Sequence, residues 1–149
     1  MSSDPHRRVL IVEDDAEVRE MLGSMLRQRA LSVDAAAGGR EAIDLLRENL
    51  YSVIILDLLM PQPDGFAVLR ALDSGSVPTP PVVLVLTGAD RSVTDQLDSQ
   101  RIHGIVRKPF DPDELTSLVV ACSEIRSRGS LGTMAVAMIS GARFFDFLN

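Results

Sequence analysis

Two hydrophobic patterns alternate along the chain. Short uninterrupted apolar runs are typical of strands that are buried on both faces. Between them, apolar residues recur at helical spacing, as at Val18, Leu22 and Met25 after the first run. We therefore expect strands over residues 8–13, 31–35, 53–56, 82–86 and 103–106. The intervening segments predict helices over residues 15–29, 40–49, 65–72, 91–100 and about 111–126, the first capped by Asp15 and the third by Asp64.

This alternation predicts an α/β fold whose mainly parallel sheet is covered by helices on both faces. Right-handed crossovers place the carboxyl ends of all parallel strands on one edge, which is where such sheets bind ligands. Polar residues stand at these ends: Glu13 and Asp14 after the first strand, Asp57 after the third, Thr87 at the fourth and Lys108 after the fifth. We expect these side chains to converge.

The chemistry of these side chains indicates what the group could do. Singly, each has a plain explanation, such as a charged helix start or a turn. Three close carboxylates, however, resist simultaneous ionisation unless a cation joins them, and a hard ion such as Mg²⁺ suits carboxylate oxygens. With the Thr87 hydroxyl and the Lys108 ammonium beside it, Asp57 would be the nucleophile of a site for an acyl phosphate.

Composition narrows the function further. The net charge is −6 and the pI about 4.8, a poor match for DNA or an anionic membrane, so we expect neither nucleic-acid binding nor membrane insertion. The single cysteine, Cys122, excludes an internal disulfide and suits a cytoplasmic protein. Of the 15 Lys and Arg residues, only Lys108 is a lysine, which singles that position out.

Four motifs together resemble those of the receiver domains of response regulators, the CheY-like proteins of two-component signalling. The resemblance covers about residues 6–126. Each motif stands at a predicted strand end, in the order found in that family: Val12-Glu13-Asp14-Asp15, then Leu56-Asp57-Leu58-Leu59-Met60-Pro61 with Asp64-Gly65, then Leu86-Thr87-Gly88, and last Lys108-Pro109-Phe110.

The resemblance implies a flavodoxin-like, doubly wound sheet of five parallel strands. It implies that Asp57 accepts a phosphoryl group from a phosphohistidine on a histidine kinase or a phosphotransfer protein. Mg²⁺ or Mn²⁺ would be held by Glu13, Asp14, Asp57 and the backbone carbonyl of Leu59. Thr87 and Lys108 would contact the phosphoryl oxygens, the bond before Pro109 would be cis, and the acyl phosphate would shift the conformation to control a partner or output domain. Whether such a signalling module counts as an enzyme stays open.

The chain departs from the family pattern at one position, and two alternative functions have to be considered. The family commonly has an aromatic residue three positions before the lysine, and here that residue is Ile105. A phosphorylation-independent pseudo-receiver would share the fold, although it would be expected to lack some of the acids or the lysine. A flavodoxin-like cofactor binder would need a phosphate-binding loop after the first strand, where this chain has acids.

The last segment has two parts. Residues 127–132 predict a Ser/Gly-rich linker. Residues 133–149 predict an apolar helical tail or the start of a truncated output domain, because Met134, Met138, Ala142, Phe145 and Leu148 would share one helix face. Such an apolar surface predicts a binding partner. We expect a homodimer through the fourth helix, fifth strand and fifth helix, or through the tail.

Overall fold

A computed structural model describes residues 7–77, 79–97, 102–127 and 142–144. The strands are β1 (Arg8–Val12), β2 (Ser32–Ala36), β3 (Val53–Leu56), β4 (Val82–Thr87), β5 (Gly104–Arg107) and β6 (Ala142–Phe144). The helices are α1 (Ala16–Gln28), α2 (Gly39–Glu48), α3 (Gly65–Asp73), α4 (Arg91–Thr94) and α5 (Pro112–Ser127).

The sheet has the strand order β2-β1-β3-β4-β5-β6, and its first five strands are parallel. This order confirms the flavodoxin-like, doubly wound fold expected from the sequence. The chain moves outward from β1 in one direction to β2 and in the other through β3. A crevice therefore forms between the carboxyl ends of β1 and β3, where ligands bind in folds of this kind.

Two apolar layers hold the sheet between its helices, because successive strand residues point to opposite faces. On one face, Leu10 and Val12 of β1 pack with residues of α2 and α3 such as Leu46 and Val68. On the other face, Val9 and Ile11 pack with residues of α1 and α5. The β1 residues of both layers are fully buried. This burial fixes the register of the central strands and hence the position of the residues that follow them.

The predicted caps fix where two helices begin. The side chain of Asp15 accepts hydrogen bonds from the amides of Glu17 and Val18, and that of Asp64 accepts one from Ala67. Both satisfy amides that the first helical turn leaves without a partner. These caps set the paths of the β1–α1 and β3–α3 loops, which carry the acidic residues.

The fourth helix is shorter than predicted. The sequence favoured residues 91–100, but α4 ends at Thr94 and the chain continues through tighter turns. The amides of Gln96 and Leu97 donate to the carbonyls of Val93 and Thr94, three residues back rather than four. Asp and Ser are weak helix formers, and the segment has only a thin apolar side to pack. Residues 98–101 lie outside the described part of the chain.

The helical tail predicted over residues 133–149 is wrong at residues 142–144. These residues form β6, which pairs antiparallel with β5, Phe144 opposite Gly104 and Ala142 opposite Val106. The free backbone groups on the open edge of β5 explain the difference, because an edge strand offers a template for further pairing that helical periodicity does not take into account. Residues 133–141 and 145–149 lie outside the described residues.

Candidate functional site

The backbone ladder carries two carboxylates to the edge of the sheet. The amide of Glu13 donates to the carbonyl of Ala36, and that of Asp57 donates to the carbonyl of Val12, at 3.1 and 3.0 Å. These bonds extend the pairing of β1 with its neighbours by one residue beyond the strand ends. Glu13 and Asp57 are consequently buried, with 1% and 4% of their surface exposed. Such burial of two acids is costly unless other groups compensate.

A third carboxylate completes an acidic cluster. Glu13, Asp14 and Asp57 each offer a carboxylate oxygen, and these oxygens lie within 4.8 Å of one another. Asp14 is exposed to solvent, whereas the other two are buried. The structure thus brings together three oxygen ligands of the kind that hard divalent cations prefer, with one side open to water.

Lys108 is the cation that reaches this cluster. Its Nζ lies 2.9 Å from Oε2 of Glu13 and 3.3 Å from Oδ2 of Asp57. The amide of Lys108 donates to the carbonyl of Thr87, which ties it to the end of β4. The bond to Pro109 is cis, as the resemblance implied. One ammonium is therefore shared by two buried carboxylates that come from different strands.

The pKa values of Glu13 and Lys108 depend on their burial and on the neighbouring charges. Burial raises the pKa of Glu13, the nearby charge of Asp57 acts in the same direction, and the hydrogen bonds from Lys108 and Asp15 only partly oppose this rise. For Lys108 burial alone would lower the pKa, but the hydrogen bond to Glu13 and the charges of Asp57 and Glu13 outweigh it, so its pKa is raised. The ammonium stays charged at neutral pH, which balances part of the negative charge.

The β3–α3 loop holds Asp57 from the other side. The amide of Leu59 donates to Oδ1 of Asp57 at 3.1 Å, leaving Oδ2 directed toward Lys108. The Leu59 side chain is among the most exposed large apolar side chains of the described residues. Gly65, the first residue of α3, packs directly on the backbone of Asp57 and Leu58. The two oxygens of Asp57 therefore have distinct partners and a fixed orientation.

Thr87 ends β4 beside the cluster but does not join it. Its side chain is fully buried, and its Oγ1 accepts a hydrogen bond from the amide of Ala89 at 3.1 Å. Within the described part of the chain, this hydroxyl bonds to its own loop rather than to a carboxylate. Of the residues predicted to converge, the structure joins Glu13, Asp14, Asp57 and Lys108 directly and places Thr87 at the adjoining strand end.

Sequence reasoning missed two arginines that brace the loops around the cluster. Arg19 of α1 donates to the carbonyl of Glu13 at 2.7 Å and reaches that of Asp14 at 3.4 Å. Arg107 of β5 donates to the carbonyl of Ala89 at 2.7 Å and to Oγ1 of Thr94 at 2.8 Å. The only signal in the sequence was position, since Arg107 directly precedes Lys108 and Arg19 lies one turn into the helix after the acids.

Comparison with known proteins shows the family. The response regulator receiver domain family matches residues 9–120, so the chain belongs to that family. Over 115 residues it is 39% identical to the response regulator MprA of Mycolicibacterium vanbaalenii, which covers 72% of this chain and 46% of MprA. Over 113 residues it is 34% identical to the transcriptional regulatory protein SrrA of Staphylococcus aureus, covering 76% of this chain and 46% of SrrA.

Solved structures agree with this assignment. The receiver domain of the Francisella response regulator 1452 superposes with a TM-score of 0.72 at 25% identity, over 80% of this chain and 98% of that one. The chain spans about half the length of the curated relatives named above. In the part of the chain that the structure describes, no helix has the length and apolar character that crossing a membrane requires.

Proposed function

We propose that Asp57 is the phosphoacceptor of this receiver domain and that a phosphohistidine of a histidine kinase or phosphotransfer protein supplies the phosphoryl group. The observation that carries the proposal is the placement of Asp57. Its carboxylate is buried between two other acids and the ammonium of Lys108, and its Oδ1 is held by the Leu59 amide. Receiver domains of response regulators act with such kinases as a family.

The acidic cluster fits a divalent cation. Glu13, Asp14 and Asp57 supply hard oxygen ligands, and the backbone carbonyl of Leu59 would supply another, with water filling the remaining positions. We propose Mg²⁺, or Mn²⁺ in its place. When bound, the ion supplies positive charge next to the phosphoryl oxygens.

The residues of the chain divide the transfer step among them. A carboxylate oxygen of Asp57 forms a bond to phosphorus while the bond between phosphorus and the donor's imidazole nitrogen breaks, and the electron pair leaves with the imidazole. The Lys108 ammonium stabilises charge on one phosphoryl oxygen, and the Thr87 hydroxyl, after turning from Ala89, donates to another. The resulting acyl phosphate would change the conformation of these loops and thereby control a partner or output domain.

Intact-mass measurement tests the proposal. We expect the full chain to gain one phosphoryl group when incubated with acetyl phosphate and Mg²⁺. The Asp57→Asn variant should gain none, and a chelator should abolish the gain in the parent protein. Asp44→Asn, which changes an exposed acid on α2, is the matched control and should behave like the parent. An equal gain in Asp57→Asn would refute the assignment, and no gain in the parent protein would favour the phosphorylation-independent alternative.

Dimerisation is a separate proposal. The two alternative surfaces are the α4–β5–α5 face and, if residues 142–144 pair between molecules rather than with β5 of their own chain, the tail. Light scattering of the full chain over a range of concentrations, with and without acetyl phosphate, tests it. A constant monomer mass under both conditions would rule out a homodimer in that range.

A further inference from the structure

Arg107 links the end of β5 to the segment that follows β4. Its Nη1 donates to the carbonyl of Ala89 at 2.7 Å, and its Nη2 donates to Oγ1 of Thr94 at 2.8 Å. Thr94 is fully buried at the end of α4, and its own hydroxyl donates to the carbonyl of Arg91 at 3.3 Å. One guanidinium therefore ties the end of β5 to both the β4–α4 loop and α4.

These bonds form a continuous chain that begins at Thr87. Ala89 is held on both sides, because its amide donates to Oγ1 of Thr87 and its carbonyl accepts from Arg107. If the Thr87 hydroxyl turns toward a group on Asp57, it leaves the amide of Ala89 without its acceptor. Ala89 is buried, so its amide has no ready replacement in water, and the residue must shift. A shift of Ala89 moves one of the two anchors of Arg107.

Arg107 and Lys108 are adjacent, and their side chains point in opposite directions. A change at Asp57 that moves this strand end would therefore reach both. Arg107 lies opposite Thr87 in the β4–β5 register, and Lys108 follows it. Consecutive residues of an extended segment point to opposite sides. The Lys108 ammonium accordingly reaches Asp57, while the Arg107 guanidinium reaches the loop and α4. Ile105, two residues earlier, is buried in the apolar core and has no polar group with which to relay a change.

We propose that Arg107 is a positioning residue that couples the state of Asp57 to the β4–α4 loop and α4 through Ala89 and Thr94. The proposal rests on the proposed phosphoryl transfer to Asp57. Arg107, next to Lys108, would provide the polar link that the apolar side chain of Ile105 cannot provide. A purely structural brace would hold the loop equally in both states, whereas a coupling residue changes how far the loop responds.

Hydrogen exchange of the full chain measures that response. With Mg²⁺, the parent protein should change its exchange over residues 87–97 when beryllofluoride, a phosphoryl mimic, binds at Asp57. In Arg107→Gln we expect this change to shrink by roughly fivefold or more, the size of a modest coupling between sites. Calorimetry should still detect Mg²⁺ binding, since the three acids are unchanged. Arg8→Gln is the matched control, a half-buried arginine at the opposite end of the sheet, and should respond like the parent.

A second variant keeps the test independent of the stability of the first. Thr94→Val removes the acceptor of Arg107 while leaving the arginine in place, and it should reduce the response in the same direction. If both act through one link, the double variant should respond no less than Arg107→Gln alone. An unchanged response in Arg107→Gln or in Thr94→Val, or equal losses in the Arg8→Gln control, would overturn the proposal. If the parent protein itself binds no beryllofluoride, the proposed function fails instead.

Discussion

At the scale of single residues, Lys108 shows why one lysine persists in a chain that otherwise uses arginine. Its Nζ bonds to Glu13 and Asp57 at 2.9 and 3.3 Å, in a space shared with a third acid. An ammonium is compact and donates in several directions, whereas a guanidinium is planar and restricted to a fork. A guanidinium in this space would hold the phosphoryl group out of line.

We predict that Lys108→Arg loses most of the phosphorylation-dependent change while it still binds Mg²⁺. Mg²⁺ affinity should change by less than about tenfold, because the charge beside the carboxylates is kept. The response of hydrogen exchange to beryllofluoride should be largely lost, because the misplaced cation cannot follow the phosphoryl group. Arg8→Lys, the reverse exchange at a remote ion pair, should leave both measurements unchanged. A parental response in Lys108→Arg would show that the single lysine is an accident of composition.

The convergence of the acids and the lysine could be predicted because these side chains follow buried strands. An apolar strand that is covered on both faces can be recognised from sequence, and its carboxyl end then has a known place in the fold. Glu13, Asp57 and Lys108 are brought together for that reason. The bonds of Arg107 could not be predicted, because nothing in the spacing of the sequence indicates which carbonyl and hydroxyl its long side chain reaches.

At the scale of elements, the start of α3 is built around a glycine. A Cβ at Gly65 would overlap the carbonyl oxygen of Asp57 and lie 2.6 Å from the Cα of Leu58. These are backbone atoms of the loop that orients the phosphoacceptor, and they cannot rotate away as a flexible side chain can. Only a residue without a side chain allows α3 to approach this loop so closely.

We predict that Gly65→Ala destabilises the protein by about 1–3 kcal/mol, the usual cost of forcing atoms into a packed site. It should also slow phosphorylation, because the displaced loop carries Asp57. Gly38→Ala is the control, since a Cβ there meets no atom within 4 Å. Its cost should stay near that of a poorer N-cap, roughly 0.5–1 kcal/mol. Urea unfolding monitored by circular dichroism gives the free energy of unfolding of both variants. Equal losses of stability would show that the close approach of α3 to the loop is unimportant.

Helices and strands were unequally predictable for a physical reason. The bounds of β3 were predicted correctly, because an all-apolar run between polar residues has one interpretation. The length of α4 was wrong, since a polar segment has little to pack and its own residues favour turns. Helix periodicity also failed at residues 142–144, where the free edge of β5 provides pairing that the sequence of the tail does not encode.

At the scale of the whole molecule, a polar cluster joins the strands at the side of the sheet away from the acids. Both Nε and Nη2 of Arg8 donate to Oδ2 of Asp34, and the hydroxyl of Tyr51 donates to the same oxygen at 2.6 Å. The guanidinium also lies over the Tyr51 ring, 5.4 Å from its centre. Burial first, and then the hydrogen bond and charge of Asp34, raise the pKa of Tyr51 above its ordinary range.

This raised pKa predicts a loss of stability in alkali. The unfolded chain loses the phenol proton near pH 10, whereas the folded protein keeps it, so the free energy of unfolding falls as pH rises above about 10. Below that pH the contribution is fully present. Lys108, whose pKa is also raised, acts in the same direction, so the comparison with Tyr51→Phe isolates the tyrosine. The variant should show a smaller alkaline decrease in urea unfolding, and an identical decrease would contradict the prediction.

The same tyrosine offers a direct check. Tyr51 is the only tyrosine and the chain has no tryptophan, so tyrosinate absorbance reports this residue alone. We expect the absorbance of the folded protein to rise only at a higher pH than that of the protein in urea. Coincident titrations would show that neither burial nor the hydrogen bond to Asp34 raises the pKa of Tyr51.

The tail supplies β6, the last strand of the sheet, which lies next to β5. β6 pairs with β5 in register from Gly104 to Val106, which covers the strand edge beside Arg107 and Lys108. In the described chain, β2 forms the opposite edge of the sheet. An uncovered edge exchanges its amide protons readily and invites pairing with another molecule. The tail pairing should therefore protect β5 and limit association through that edge.

We predict that removing residues 128–149 speeds hydrogen exchange over Gly104–Arg107 and leaves Ser32–Ala36 of β2 unchanged. In the full chain, protection of β5 should not depend on protein concentration, because the strand is supplied by the same molecule. Light scattering should show more association after truncation, since the exposed edge can pair between molecules. If protection instead rises with concentration, and truncation leaves a monomer, the tail pairs between molecules and mediates the dimer, because only a strand from a second chain obeys mass action.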